Sequence, residues 1–178
     1  MEISKNSTRP AHIYLDNSPY FITASIWLHR KLLDDESKTK LSELIQTVFK
    51  EYQWKLEAWV ILDNHYHLLC QSKNGKDLSK IINKIHSISS KFIKSSQNVE
   101  GKIWSNYWDY CPRDENDYNV RWCYYLLNNP VKHGYVADLH DWQWSSFHEL
   151  YEEKGRNNLQ EQFLKFSEYK SLELFEDR

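Results

Sequence analysis

The sequence predicts an α+β fold in which an antiparallel sheet of about four strands carries helices on one face. Segments 20–27 and 55–62 are rich in β-branched and aromatic residues, which favour strands. Segments 36–52 and 77–96 place apolar residues at helical spacing, which predicts two amphipathic helices. Segment 65–71 follows the second strand after a two-residue turn, which predicts a hairpin.

Two further elements complete the predicted order β-α-β-β-α-β-α. Segment 103–110 has the composition of a fourth strand. Asp114 begins an acidic run that predicts the cap of a third helix, and Asp77 is expected to cap the second helix in the same way. The third helix should end near Asn129, because Pro130 disfavours a helical conformation in the residue before it.

Length and composition predict one main domain. A chain of 178 residues with 40% hydrophobic content can bury a core of its own, and we assign this domain to residues 1–151. Residues 152–178 are acidic and are expected to form a helical extension. The chain has neither an apolar run of about 18 residues nor a signal-peptide core, and its three cysteines form no CxxC pattern. We therefore expect a cytoplasmic protein without a membrane partner.

The charge is unevenly distributed, although the net charge is only −2. Residues 73–102 carry a net charge of +5, whereas residues 138–178 carry −5. A local basic surface is compatible with a partner that bears phosphate groups. A solvated helix face would show the same lysine pattern, so charge alone does not distinguish the two interpretations.

The pair His65 and His67 is the first candidate for chemistry. Because side chains alternate along a strand, both imidazoles should lie on one face, about 7 Å apart, where they could hold one cation. Two half-exposed strand histidines without a ligand are the alternative. An HxH triplet arises by chance in about one chain of three with this histidine content, so the pair needs further support.

Tyr125 and Asn129 are the second candidate, because they are four residues apart in a predicted helix and should project from one face. A tyrosine hydroxyl, with a pKa near 10, becomes an effective nucleophile when a metal polarises the phosphate that it attacks. The amide oxygen of Asn129 and two imidazoles would form a three-point site for Mg²⁺ or Mn²⁺, although imidazoles also suit Zn²⁺. Taken alone, Tyr125 is more readily explained as a core residue, because it lies in an apolar and aromatic run over 122–127.

Several short motifs follow one another in a specific order between residues 13 and 151. They are YFIT (20–23), VILDNHYHLL (60–69), IWSNYWD (103–109), YLLNNPVKHG (125–134) and WSSF (144–147). Together they resemble the REP-associated tyrosine transposases, a family of HUH single-strand nucleases. Asp63 stands where this family usually has proline, and Tyr66 where it has an aliphatic residue, but neither position is a proposed metal ligand.

The resemblance implies a ferredoxin-like, HUH-type fold and a metal-dependent endonuclease and strand transferase. Its substrate would be single-stranded DNA with hairpin (REP-like) elements, cleaved through a 5′-phosphotyrosine intermediate. Tyr125 would be the nucleophile, and His65, His67 and Asn129 would hold the metal. Further candidates for contact with DNA phosphates are Lys80, Lys84, Lys91, Lys94, Arg113, Arg121 and Lys132. Relatives of this fold occur as monomers and as homodimers, and a nucleoid-associated location would follow from the substrate.

Three other functions remain compatible with parts of the sequence. A catalytically inactive nucleic-acid-binding regulator on the same fold would not need the four site residues. An RNA-binding ferredoxin-like domain would use strand aromatics as stacking platforms, but its Lys/Arg-Gly-Phe signature is absent from the sequence. A hydrolytic zinc enzyme would need a further carboxylate or histidine ligand, for which Asp63 is the nearest candidate in sequence.

Overall fold

The computed structural model of the protein describes residues 12, 14–123 and 129–171. Its strands form one antiparallel sheet in the order β2-β3-β1-β4. They are β1 (Pro19–Ser25), β2 (Lys55–Ile61), β3 (His65–Gln71) and β4 (Trp108–Tyr110). The helices over these residues are α1 (Asp35–Glu51), α2 (Leu78–Gln97), α3 (Glu115–Trp122), α4 (Asn129–Lys132), α5 (Phe147–Lys154) and α6 (Arg156–Lys165). The predicted α+β fold with a four-stranded sheet is confirmed.

One face of the sheet packs against α1 and α2. Alternate residues of β1 and β3, including Tyr20, Ile22, Tyr66 and Leu68, are at most 1% exposed on this face. The two helices cover them with apolar residues at helical spacing, namely Leu41, Ile45, Val48, Ile81, Ile82 and Ile85. This is the amphipathic packing that the sequence predicts.

The opposite face of the sheet is also covered, so the prediction of helices on one face only was wrong. Phe21, Val60 and Leu69 point to this side and form a second buried cluster. The clustered residues that cover them come from α3, α5, α6 and the loop before α5, and include Val120, Trp122, Trp142, Phe147, Leu150 and Leu159. The histidines of β3 lie on this second face, because they alternate with Tyr66 and Leu68.

The turn between β2 and β3 is braced by contacts from two sides. Leu62 N donates to His65 O at 2.8 Å, which closes the predicted two-residue turn. The Lys38 ammonium on α1 lies 2.9 Å from Asp63 Oδ1 and 4.0 Å from the centre of the Trp144 ring. Lys38 has only 4% of its side chain exposed, so these contacts form in a desolvated environment. They fix the point at which the histidine strand begins.

The predicted strand over 103–110 is only partly regular, since β4 begins at Trp108. Trp104 forms an isolated bridge with Ile26, and its indole Nε1 donates to Ser89 Oγ at 2.9 Å. The same ring stacks on His86 at a centroid distance of 4.5 Å. Aromatic residues favour strands because they fit half-buried surfaces, and here an irregular segment provides such a surface.

Of the three predicted helix boundaries, the cap at Asp114 is confirmed, and the predictions for Asp77 and Pro130 were wrong. Asp114 accepts a bond from Asp117 N, as expected of a helix cap. Asp77 has a helical backbone and bonds to Lys80 at 2.7 Å, so it does not cap α2. Pro130 does not end a helix but lies within α4.

The segment that follows residue 151 contributes to the second cluster. Leu159 on α6 is 3% exposed, and Phe166 is 8% exposed. A 3₁₀ turn covers Ser167–Ser171. In the described part of the chain, no helix is both long enough and apolar enough to cross a membrane.

Candidate active site

His65 and His67 lie on the same face of β3, as strand alternation predicts. Their ring centroids are 4.9 Å apart at an interplanar angle of 80°, closer than the strand rise suggests because the rings approach edge to face. His67 is 2% exposed, whereas His65 is half-buried. The pair therefore has one enclosed ring and one ring at the edge of a pocket.

His67 is held by Thr23, which is its register partner on β1. Thr23 Oγ1 lies 2.8 Å from His67 Nδ1 in a buried position, and His67 Nε2 is also enclosed. Burial, followed by the charges of His65, His133 and Lys132, holds the pKa of His67 well below its usual value. The ring is therefore neutral at physiological pH. If Nδ1–H donates to Thr23, the lone pair lies on Nε2.

His65 is oriented by Asn64 through a short chain of hydrogen bonds. Asn64 Nδ2 donates to His29 O at 3.3 Å, which turns the amide oxygen of Asn64 towards His65. That oxygen lies 2.6 Å from His65 Nδ1, and an amide oxygen can only accept. The proton of a neutral His65 is therefore on Nδ1, which leaves the lone pair on Nε2. His65 thus has the arrangement that metal-binding imidazoles use, and His67 has it when its proton is on Nδ1.

Asn129 belongs to the segment that covers the histidine pair. It is completely buried, and its Oδ1 atom is enclosed. His133 N donates to Asn129 O at 3.0 Å, and the His133 ring contacts His65 at a centroid distance of 5.4 Å. The turn that carries Asn129 is therefore next to the histidines. Tyr125, the predicted nucleophile, and Tyr124 lie outside the described residues.

The donor set of the candidate site can be tested against the chemistry of a divalent cation. Within residues 12, 14–123 and 129–171, no group of three or more His, Cys, Asp or Glu could hold a metal ion. In the metal site expected from the sequence, the third ligand beside His65 and His67 is the amide oxygen of Asn129. Two neutral imidazoles and one amide oxygen fit a divalent transition metal such as Mn²⁺ and leave positions for oxygen ligands from a substrate.

A pocket of about 260 Å³ opens beside His65. This volume approaches the lower end of ligand pockets, about 300 Å³. Its lining is polar and contains several groups that can carry positive charge; it consists of Ser25, His29, Lys31, Asn64, His65, His133 and Tyr135. His133 did not emerge from the sequence as a site residue, although it follows Asn129 by one helical turn.

The other candidate phosphate contacts are distributed over both sides of the sheet. Lys80, Lys84, Lys91 and Lys94 belong to α2, which covers the face opposite the histidines. Two of them form ion pairs, Lys80 with Asp77 and Lys84 with Glu51.

On the histidine face, Arg121 is mostly buried and pairs with Asp117 at 2.8 Å, whereas Arg113 is exposed and lies 3.6 Å from the same carboxylate. Lys132 is exposed on α4. Since it also contributes to the low pKa of His67, it is the basic candidate nearest to that ring.

Comparison with known proteins gives consistent matches. The family described as "Transposase IS200 like" matches residues 17–124 and ends next to Tyr125. A REP-associated tyrosine transposase of Escherichia coli is 27% identical over 136 residues, which are 76% of this chain and 79% of that protein. A protein of Haemophilus influenzae assigned to the same kind of transposase is 29% identical and covers 78% of this chain and 91% of its own.

A solved structure shows the same fold. It is a REP-associated tyrosine transposase bound to a REP hairpin, and it is 26% identical with a TM-score of 0.67. The similarity covers 80% of this chain and 84% of that one. The family match extends over more than half of the sequence and includes the whole sheet with its histidine strand. The chain therefore belongs to the IS200-like transposase family.

Proposed function

We propose that the protein is a metal-dependent endonuclease and strand transferase that cuts single-stranded DNA beside hairpins. The observation that carries this proposal is the orientation of the histidine pair. Asn64 and Thr23 hold the two Nδ1 atoms on one face of β3, so in this proposal the cation binds through the two Nε2 atoms. A protein that only binds DNA has no need of two imidazoles fixed in this way.

The metal site in this proposal consists of His65, His67 and Asn129, with Mg²⁺ or Mn²⁺ as the cation. When bound, the cation would polarise the scissile phosphodiester and stabilise the charge that develops on its oxygens. Thr23 and Asn64 keep the rings in the orientation and tautomer that binding requires. The low pKa of His67 also keeps this ring deprotonated, so no proton competes for it at neutral pH.

Tyr125 is the nucleophile in this proposal. Its hydroxyl oxygen gives up a proton and attacks phosphorus, the bond from phosphorus to the 3′ oxygen breaks, and the 3′ oxygen takes up one proton and leaves as a hydroxyl, so no net proton is gained or lost. The product is a 5′-phosphotyrosine linkage, which conserves the energy of the phosphodiester. A second 3′-hydroxyl can reverse the reaction, which joins the strands without a nucleotide cofactor.

The proposed substrate is DNA that bears a hairpin of the REP type. The support is the solved relative, which is similar over 80% of this chain and is bound to such a hairpin. The pocket beside His65 adds His29, Lys31 and His133, which suit contact with a phosphate backbone. Either a monomer or a homodimer could bind this substrate, and the proposed location is the nucleoid in the cytoplasm.

A covalent-adduct assay tests the proposal. Labelled hairpin oligonucleotides with single-stranded flanks are incubated with the protein and Mn²⁺, and adducts are separated by denaturing electrophoresis. We expect an adduct with the parent chain and with Tyr124→Phe, but none with Tyr125→Phe or with His65→Ala. An adduct that persists in Tyr125→Phe and disappears in Tyr124→Phe would overturn the assignment of the nucleophile. Tight binding by the parent chain without any adduct would instead support an inactive regulator.

A further inference from the structure

We propose that Trp27 and Leu28 form a platform that binds one unpaired base of single-stranded DNA next to the His65 pocket. This inference rests on the proposed function and adds a binding site to it. The two residues follow β1, whose last residue, Ser25, pairs with His65 and lines the pocket. Ile26 N then donates to Asn64 O at 2.7 Å, so the platform is tied directly to the turn that orients His65.

The platform exposes two large apolar side chains at one point of the surface. Trp27 is 41% exposed, and Leu28 is 72% exposed. Neither side chain belongs to the two buried clusters. Adjacent exposed apolar residues beside a polar pocket indicate a binding site.

The backbone of this segment is strained. Leu28 has φ 60° and ψ 26°, and His29 follows with φ 51°. The left-handed region is unfavourable for a residue that has a Cβ atom, and residues held there concentrate at functional sites. A fold that needed only a turn here could use glycine or asparagine. The presence of leucine indicates that its exposed side chain has a function that offsets the strain.

The strained turn is nevertheless well fixed. Trp27 N donates to Ile103 O at 2.7 Å, and His29 N donates to Ile26 O at 2.9 Å. The Arg30 guanidinium donates to Trp27 O and to Lys102 O, which ties the turn to the segment before β4. A platform held in this way loses little conformational freedom when a ligand binds, which favours affinity.

The charges around the platform match a nucleic acid strand. The Lys102 ammonium lies over one face of the Trp27 ring, 4.1 Å from its centre, so a base would stack on the other face, and His29 and Lys31 line the adjoining pocket. An aromatic ring next to cations is the arrangement by which proteins bind unpaired bases together with their phosphates. This charge complementarity favours a nucleobase over an apolar peptide. Leu28 would contact the edge or the opposite face of the stacked base.

The test measures DNA affinity rather than cleavage. All variants carry Tyr125→Phe, and the probe is the fluorescein-labelled hairpin oligonucleotide that forms an adduct with the parent chain. Removal of one stacked base by an alanine substitution costs about 1–3 kcal/mol, which is a loss of about 5- to 150-fold in affinity. We expect such a loss for Trp27→Ala. Trp27→Phe should retain most of the affinity, and Leu164→Ala should not change it, because Leu164 is an exposed apolar residue (67% exposed) outside the platform and the His65 pocket.

Leu28→Gly separates a binding role from a structural one. Glycine relieves the left-handed strain, so the melting temperature should rise by about 2–4 °C while DNA binding weakens. A 5-iododeoxyuridine in the single-stranded flank should also give a photo-crosslink to the peptide that contains Trp27.

If the parent chain binds the hairpin oligonucleotide and forms the adduct, but Trp27→Ala binds this DNA with unchanged affinity, the platform is overturned and the proposed function is not affected. A parent chain that binds no hairpin would overturn both. A concentration-dependent dimer that Trp27→Ala abolishes, without any change in DNA affinity, would assign the surface to a second copy and also overturn the proposal.

Discussion

Thr23→Val tests whether the contact with His67 serves the metal site or only the fold. Valine has nearly the same shape as threonine but lacks the hydroxyl that lies 2.8 Å from His67 Nδ1. Both groups are buried, so the substitution leaves a polar nitrogen without its partner, at a cost of about 1–3 kcal/mol. The imidazole could then place its proton on Nε2, the nitrogen that the proposed metal needs.

The effect on metal affinity follows from this loss of orientation. Removal of a group that orients a metal-binding histidine typically costs about 10- to 100-fold in affinity, which corresponds to about 1.4–2.7 kcal/mol. Isothermal titration with Mn²⁺ measures this change directly, and a denaturant melt without metal measures the change in stability. Thr23→Ser keeps the hydroxyl and should bind Mn²⁺ almost as the parent chain does. Thr47→Val, at an exposed position on α1, should change neither quantity.

A change in stability without a change in Mn²⁺ affinity would contradict the role of Thr23 in the metal site. We expect the affinity of Thr23→Val for Mn²⁺ to fall by at least about 10-fold. If this variant is less stable but its affinity for Mn²⁺ stays within about twofold of the parent chain, Thr23 supports only the fold. Equal losses in Thr23→Ser and Thr23→Val would show that packing, rather than the hydroxyl, holds His67.

Three further predictions concern stability. Burial lowers the pKa of His86 from 6.5 to about 3, so the folded ring stays neutral while the unfolded ring takes up a proton. His86 alone should therefore contribute a fall in stability of about 1.4 kcal/mol per pH unit as the pH drops below about 6.5, and His86→Gln should lose this contribution in denaturant melts. Lys38→Met should destabilise the fold by about 2 kcal/mol, less than for a fully buried pair because Asp63 keeps 26% of its side chain exposed. Gly75→Ala should cost about 1–3 kcal/mol in thermal melts, because the added Cβ would lie 2.5 Å from Leu15 N.

The sheet and its long helices were predictable from the sequence because their patterns are local. Strand β3 begins at His65 and ends at Gln71, as predicted, since a turn and a polar residue mark its limits. A third helix and a helical extension were predicted, but their position on the second face of the sheet was not, because it depends on contacts between segments that are distant in sequence. A signal for it was present in the sequence, however: residues 58–62 are continuously apolar, as expected of a strand covered on both faces.

The candidate site was only partly predictable. Strand alternation was enough to place His65 and His67 together. The contacts that orient them depend on the sheet register, which brings Thr23 opposite His67, and on a turn amide that reaches His29. Such contacts arise between segments that are distant in sequence, so no local pattern reveals them. His133 is different, because its spacing of four residues from Asn129 was visible in the sequence.

The most direct test of the central claim is the mass-spectrometric mapping of the covalent adduct formed with hairpin DNA in the presence and absence of Mn²⁺. We expect a single DNA-linked residue, Tyr125. The link between Tyr125 and DNA should form in the presence of Mn²⁺ and should not form after the metal is removed with a chelator. We also expect that His67→Ala abolishes the linkage. A DNA linkage at another residue, or one that forms equally well without metal, would contradict the central claim.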